Sequence, residues 1–216
     1  MIERAIAAST HGRYLIEPPA APGPAPLLVG FHGYAEGAEA QLERLRAIPD
    51  ADRWRIVSIQ GLNRFYQRRT NEVIAGWMTR QDRELAIADN LAYVAAVIEA
   101  VEREWPAAPR VVFTGFSQGV AMTFRAAVAA RAVDGVIAVG GDVPPEITAA
   151  GLGRIPAALV CRGSNDQWYA PATFERDATR LRDAGVIVAP LPFEGGHEWS
   201  AAVAAAAGQF LRERLP

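Results

Sequence analysis

Six short aliphatic runs alternate with stretches of helical periodicity along this chain, and that alternation restricts the fold more than any other feature. The runs Leu27–Phe31, Ile56–Ile59, Val111–Thr114, Val136–Val139, Ala157–Cys161 and Val186–Leu191 have the length and composition of buried strands. Helical patterns lie at Ala38–Ala47, Arg83–Arg103, Val120–Ala130, Pro171–Ala184 and Ser200–Arg214, with Gly185 beyond one and Pro106 and Pro109 beyond another as stop signals. Continuously apolar strands need cover on both faces, and strand–helix–strand crossovers are right-handed. The pattern therefore predicts an α/β fold: a doubly wound, mostly parallel sheet with helices on both faces. Upstream, Ile2–Ala7 and Arg13–Ile16 read as short strands, and the proline-rich stretch between Pro18 and Pro26 as a surface connection. A length of 216 residues fits one domain over 1–216, without room for a large lid domain. The longest stretch lacking periodicity, Gly61–Arg80, holds Phe65, Tyr66 and Trp77; loops of that length are usually functional or mobile.

Composition removes several functions. A net charge of −2 offers no basic field for nucleic acid, so no nucleic-acid partner is expected. All 22 basic residues are arginine, which excludes a lysine Schiff base and a P-loop lysine. One cysteine, Cys161, and three histidines without ligand spacing predict neither an internal disulfide nor a metal site. With no apolar stretch of about 18 residues, no membrane span is expected, and a soluble, cytoplasmic protein is the reading.

In such sheets ligands bind beyond the carboxyl ends of the strands, so polar residues directly after strands carry the most weight. Gly115-Phe116-Ser117-Gln118-Gly119 follows one apolar run and precedes a helical pattern, the setting of a nucleophile elbow. With five serines and 19 glycines, the chance expectation for any such motif is only about 0.04. The serine would occupy a strained turn, and glycines two residues either way would relieve collisions with the crossing strand and helix. A serine hydroxyl needs a base oriented by a carboxylate, in the chain order Ser, acid, His. Only His197 follows Ser117, in Glu194-Gly195-Gly196-His197-Glu198.

Among the intervening acids, Asp134 precedes its strand, Glu175, Asp177 and Asp183 fall on a helical pattern read as a solvated face, and Glu146 follows Pro144-Pro145. Asp166, Asp142 and Glu194 remain. Asp166 is favoured because Arg162-Gly163-Ser164-Asn165-Asp166 forms a turn directly after a strand; Asp142 is the reserve, and Glu194 lies too near His197. Oxyanion donors would be the Gln118 amide and, from His32-Gly33-Tyr34 after Phe31, the Tyr34 amide, with His32 a brace for that loop. Trp77, Trp168, Tyr169 and Trp199 are the aromatic candidates for pocket walls.

On these residues the chain resembles the α/β-hydrolase superfamily and, within it, the phospholipase/carboxylesterase group that includes acyl-protein thioesterases. Phe31-His32-Gly33 is similar to the group's oxyanion loop, the Phe-Ser-Gln core to its nucleophile motif, and Gly163–Asp166 and Gly195–Glu198 to its acid and base turns. The resemblance implies an α/β-hydrolase fold, oxyanion roles for Tyr34 and Gln118, and no cofactor. Tyr34-Ala35-Glu36-Gly37 departs from the group's usual small residue, Gly and Asp, so the acyl pocket has its own shape. The expected partner is a small-molecule ester or thioester with a short or medium acyl chain. The oligomeric state is not legible in the residues. A dienelactone-hydrolase-like activity wants a cysteine nucleophile, and Cys161 falls within a strand far from the elbow; a haloperoxidase-like enzyme and a noncatalytic binder are the other rivals. Because the mechanism needs a neutral His197, kcat/KM should fall on acidification instead of staying flat between about pH 5 and 8.

Overall fold

The computed structural model describes residues 1–105 and 110–213. Pro106, Pro109 and Arg214, named above at helix ends, lie outside the described residues. The chain runs β1 (Arg13–Glu17), β2 (Leu27–Phe31), α1 (Ala38–Arg46), β3 (Arg55–Gln60), β4 (Asn63–Tyr66), β5 (Val73–Gly76), α2 (Arg83–Glu104) and β6 (Val111–Phe116). It continues through α3 (Gln118–Ala129), β7 (Gly135–Val139), α4 (Ala149–Leu152), β8 (Ala157–Gly163), α5 (Pro171–Asp183), β9 (Ile187–Phe193) and α6 (Ala201–Glu213).

Seven strands form one sheet in the order β1-β3-β2-β6-β7-β8-β9, parallel except for β1, which pairs antiparallel with β3. Every residue of β2, β3, β6, β7 and β8 is buried, as strands covered on both faces require. Alternate side chains serve two cores. Val29, Phe31, Val57 and Phe113 pack with Val94 and Val97 of α2 and Val120 and Phe124 of α3. Leu28, Ile56, Val112 and Ile137 pack on the other face with Leu42 and Leu45 of α1 and Val203 and Phe210 of α6. In α5 the buried residues Phe174, Asp177, Ala178 and Leu181 recur at helical spacing, and Pro171 starts the helix where its missing N–H costs nothing.

Three sequence expectations need correction. Ile2–Ala7 forms no strand and is exposed; Glu3 and Arg4 interrupt its apolar residues and leave no continuous face to bury. The strand expected at Val186–Leu191 is half-exposed and lies at the sheet edge as β9. Pro190 and Pro192 take its alternate residues, so the outward side lacks two N–H donors and resists pairing with another chain. Within Gly61–Arg80 lies a two-stranded hairpin, β4 with β5.

The order of connections sets the site. From β2 the chain crosses to β3 on one side and returns to β6 on the other, so the loops after β2 and β6 flank a topological switch point.

Candidate active site

Ser117 sits where β6 turns into α3, at φ 52° and ψ −120°, a conformation costly for any side chain but glycine. Its amide donates to the Val139 carbonyl at 2.9 Å, tying the turn to the end of β7. Close approach explains the flanking glycines. A Cβ at Gly119 would lie 2.1 Å from the Phe31 carbonyl oxygen, and one at Gly115 2.3 Å from Thr123 Oγ1.

The acid and base turns meet through backbone hydrogen bonds. The Ser164 amide donates to the Phe193 carbonyl at 2.8 Å and that of Asn165 to the Gly195 carbonyl at 2.9 Å. The Asp166 carboxylate, almost wholly buried, faces His197, with Oδ2 2.9 Å from Nδ1. Its other oxygen, Oδ1, accepts the amides of Trp168 at 2.8 Å and Tyr169 at 3.0 Å. A carboxylate at Nδ1 makes that nitrogen the donor and leaves Nε2 to accept from the Ser117 hydroxyl, 2.8 Å away. The imidazole ring also packs 5.0 Å from that of Phe116.

Gln118 begins α3, so its amide is among the free donors at a helix N-terminus. Its side chain has a use that motif reading missed: Oε1 accepts from the Trp77 amide at 2.8 Å and Nε2 donates to the Met78 carbonyl at 3.1 Å. On the facing loop Tyr34 precedes Ala35, which has φ 59° and is held by the Ala75 carbonyl at 2.9 Å. Glu36 accepts from the Gly33 amide at 2.7 Å and is gripped through both oxygens by Arg44, each at 2.6 Å. Burial raises the Glu36 carboxyl, yet the Arg44 guanidinium, the Gly33 amide and His32 together hold the group below its usual range. Arg44 also lies 4.2 Å over the Phe116 ring, so one ion pair braces both the β2 loop and the residue before Ser117. The departure noted at Tyr34–Gly37 thus contains its own brace.

His32 is internal. Its Nδ1 lies 2.6 Å from the Gly33 carbonyl as donor, and Nε2 accepts the Gly61 amide at 2.9 Å, an arrangement only the neutral ring satisfies. Burial pushes its pKa below the ordinary 6.5, against the Gly33 hydrogen bond and Glu36. A depressed histidine stabilises the fold fully above 6.5 and loses that contribution as pH falls through its folded-state value. The melting temperature should accordingly drop more steeply from pH 7 to pH 5 in the wild type than in His32→Gln, as followed by circular dichroism.

A cavity of about 480 Å³ adjoins Ser117 and Gln118, and Trp168 and Tyr169 line it. The other two aromatic candidates do not. Trp77 is fully buried, its indole N–H donating to the His32 carbonyl at 2.8 Å, and Trp199 packs against the α1/α6 core. Asp142 lines the cavity instead of meeting His197, and Glu194 is exposed. Asp177, expected on a solvated face, is fully buried: it accepts the Val143 amide at 2.9 Å and the Tyr169 hydroxyl at 3.3 Å, fastening the loop after β7 to α5. Larger clefts of about 590 Å³ lie by the N-terminal segment and the proline-rich loop, away from Ser117. Among the described residues no cluster of His, Cys, Asp or Glu is arranged to hold a metal, and no helix is long and apolar enough to cross a membrane.

A sheet of this order, with a serine at the strand–helix turn beside the switch point, defines an α/β-hydrolase. The chain belongs to the phospholipase/carboxylesterase family, a family of ester hydrolases whose model matches residues 14–212. Solved structures share the fold. Acyl-protein thioesterase 2 of Zea mays is 17% identical with a TM-score of 0.74, the match covering 95% of this chain and 100% of that one. A Bacillus cereus carboxylesterase is 14% identical with a TM-score of 0.73, covering 92% of each chain. A Mesorhizobium loti carboxylesterase is 20% identical with a TM-score of 0.72, covering 87% of this chain and 88% of that one. No curated protein matches the chain.

Proposed function

We propose that this protein is a serine carboxylesterase that cleaves short- to medium-chain carboxylic esters or thioesters through an acyl-enzyme. The observation that carries the reading is the unbroken hydrogen-bonded line from Ser117 Oγ through His197 to Asp166 Oδ2. His197 Nε2 takes the hydroxyl proton as Oγ attacks the carbonyl carbon; Asp166 holds the imidazole and stabilises its cationic form. The Gln118 and Tyr34 amides receive the oxyanion. The tetrahedral intermediate collapses as the imidazolium gives its proton to the leaving alcohol or thiol. Water then attacks the acyl group by the same route and regenerates Ser117. A cysteine nucleophile does not fit: Cys161 is fully buried in β8, and burial pushes its thiol well up.

Hydrolysis of a 4-nitrophenyl acyl series tests this reading. Turnover should be highest for short and medium chains, with stoichiometric labelling by a neutral fluorophosphonate. Turnover of long chains alone would contradict the chain-length reading, and absence of labelling would remove the nucleophile. Since Glu36 positions the loop carrying the Tyr34 amide, Glu36→Gln should lower kcat by about ten- to a hundredfold, with KM changed far less. Steady-state kinetics on 4-nitrophenyl butyrate gives that comparison; an effect confined to KM would deny Glu36 the role.

A further inference from the structure

The cavity beside Ser117 is a poor place for a long alkyl chain. Three guanidinium groups, Arg83, Arg125 and Arg176, and one carboxylate, Asp142, line it. A fatty chain pressed against them would strip their hydration without replacing it. These charges differ in how far they are already satisfied. Arg125 is buried, and its Nε and Nη2 both donate to Glu146 at 2.8 and 2.6 Å, so that pair is closed. Arg176 and Arg83 are at the mouth, with side chains 57% and 39% exposed. Arg176 reaches the buried Asp177 only at 3.2 and 3.3 Å, through Nη2 and Nε, and Asp177 also serves the Val143 amide and the Tyr169 hydroxyl. Among the described residues, Arg176 Nη1 has no acceptor. Arg83 pairs with its exposed neighbour Glu84 at 2.6 Å and stands 4.0 Å from Glu146. Nearby Arg180 is spent on the carbonyls of Val143, Pro144 and Ile147. On the lining itself three guanidinium groups stand with one carboxylate, Asp142; their partners Glu146, Glu84 and Asp177 offset their charge from outside the lining, and Arg176 keeps Nη1 as a donor without an acceptor among the described residues.

We propose that the natural substrate is an ester bearing a carboxylate, and that Arg176 and Arg83 bind this carboxylate while Ser117 attacks the ester carbonyl. The proposal rests on the serine-esterase reading and names the substrate class of that site. A planar guanidinium meets a carboxylate through paired donors, and a half-exposed cationic mouth also draws anions in from solution.

Two matched pairs of esters test it, one placing the carboxylate on the acyl side and one on the alcohol side. The first compares the 4-nitrophenyl monoester of adipic acid with 4-nitrophenyl hexanoate; the second compares the butyrate ester of 4-hydroxybenzoic acid with that of 4-hydroxybenzamide. In at least one pair the anionic ester should have the higher kcat/KM, by about tenfold at low salt. That ratio should fall about fivefold in Arg176→Gln and in Arg83→Gln, shrink in about 0.5 M sodium chloride, and rise in Asp142→Asn. A ratio at or below one in both pairs, or one untouched by both arginine substitutions, overturns the inference. If the protein still reacts with a neutral fluorophosphonate in that event, the esterase reading survives alone; if it neither reacts nor hydrolyses any of the four esters, both fall together.

Discussion

Alanine at position 117 is expected to lower kcat for 4-nitrophenyl butyrate by about 10⁵- to 10⁶-fold, with the melting temperature nearly unchanged. The reaction as read passes through a covalent bond to Oγ, and the single thiol cannot take its place: Cys161 is sealed inside β8. Alanine keeps the Cβ, so the strained turn at φ 52° and its 2.9 Å amide bond to Val139 experience the same constraints as with serine. What disappears is one 2.8 Å hydrogen bond to His197, and that ring is still held by Asp166. The substitution thus separates chemistry from folding. Steady-state kinetics and thermal denaturation on the same preparation report both, and a variant retaining a tenth of wild-type kcat would mean the nucleophile is elsewhere.

Asparagine at position 166 should cost about 10⁴-fold in kcat, although it is nearly isosteric. The reason lies in the unequal surroundings of the two carboxylate oxygens. Oδ1 faces two amide donors, those of Trp168 and Tyr169, so the asparagine carbonyl must occupy that side. Its amide nitrogen is then turned toward His197 Nδ1, where Oδ2 now accepts at 2.9 Å. Two donors cannot face each other, so Nδ1 becomes the acceptor and the proton moves to Nε2. In that tautomer His197 cannot take the Ser117 proton. Measured kcat should be low at neutral pH and recover in part at high pH, where hydroxide assists. A variant with wild-type kcat would show that the carboxylate does not fix the ring.

How much of this was legible depended on whether a residue's surroundings are local in sequence. Ser117 and its glycines were readable because the motif and its strand–helix setting lie in one short stretch, although the collision that Gly119 avoids is with Phe31 of another strand. Asp166 and His197 were readable from position after a strand, since parallel strands deliver their following loops to one end of the sheet. Trp77 was not: in a stretch lacking periodicity an aromatic bound for the core looks the same as one bound for a pocket. The hairpin strand Asn63–Tyr66 is exposed throughout, so no apolar alternation marked it. Two further signals are present in the sequence. Pro190 and Pro192 mark an edge strand, and Asp177 stands at i+3 from Phe174 and i−4 from Leu181, on the helix face that packs inward. The Glu36–Arg44 brace escaped because its two partners act on Gly33 and Phe116, whose proximity only the folded sheet creates.

If Ser117, His197 and Asp166 act as one unit facing the Tyr34 and Gln118 amides, the structure of the protein after reaction with a small phosphonate will show it. Phosphorus should be bonded to Ser117 Oγ, with its negative oxygen about 2.7–3.1 Å from both amides and the His197 imidazole still within reach of Asp166. An adduct on any other side chain, or a phosphonate oxygen turned away from both amides, would contradict it.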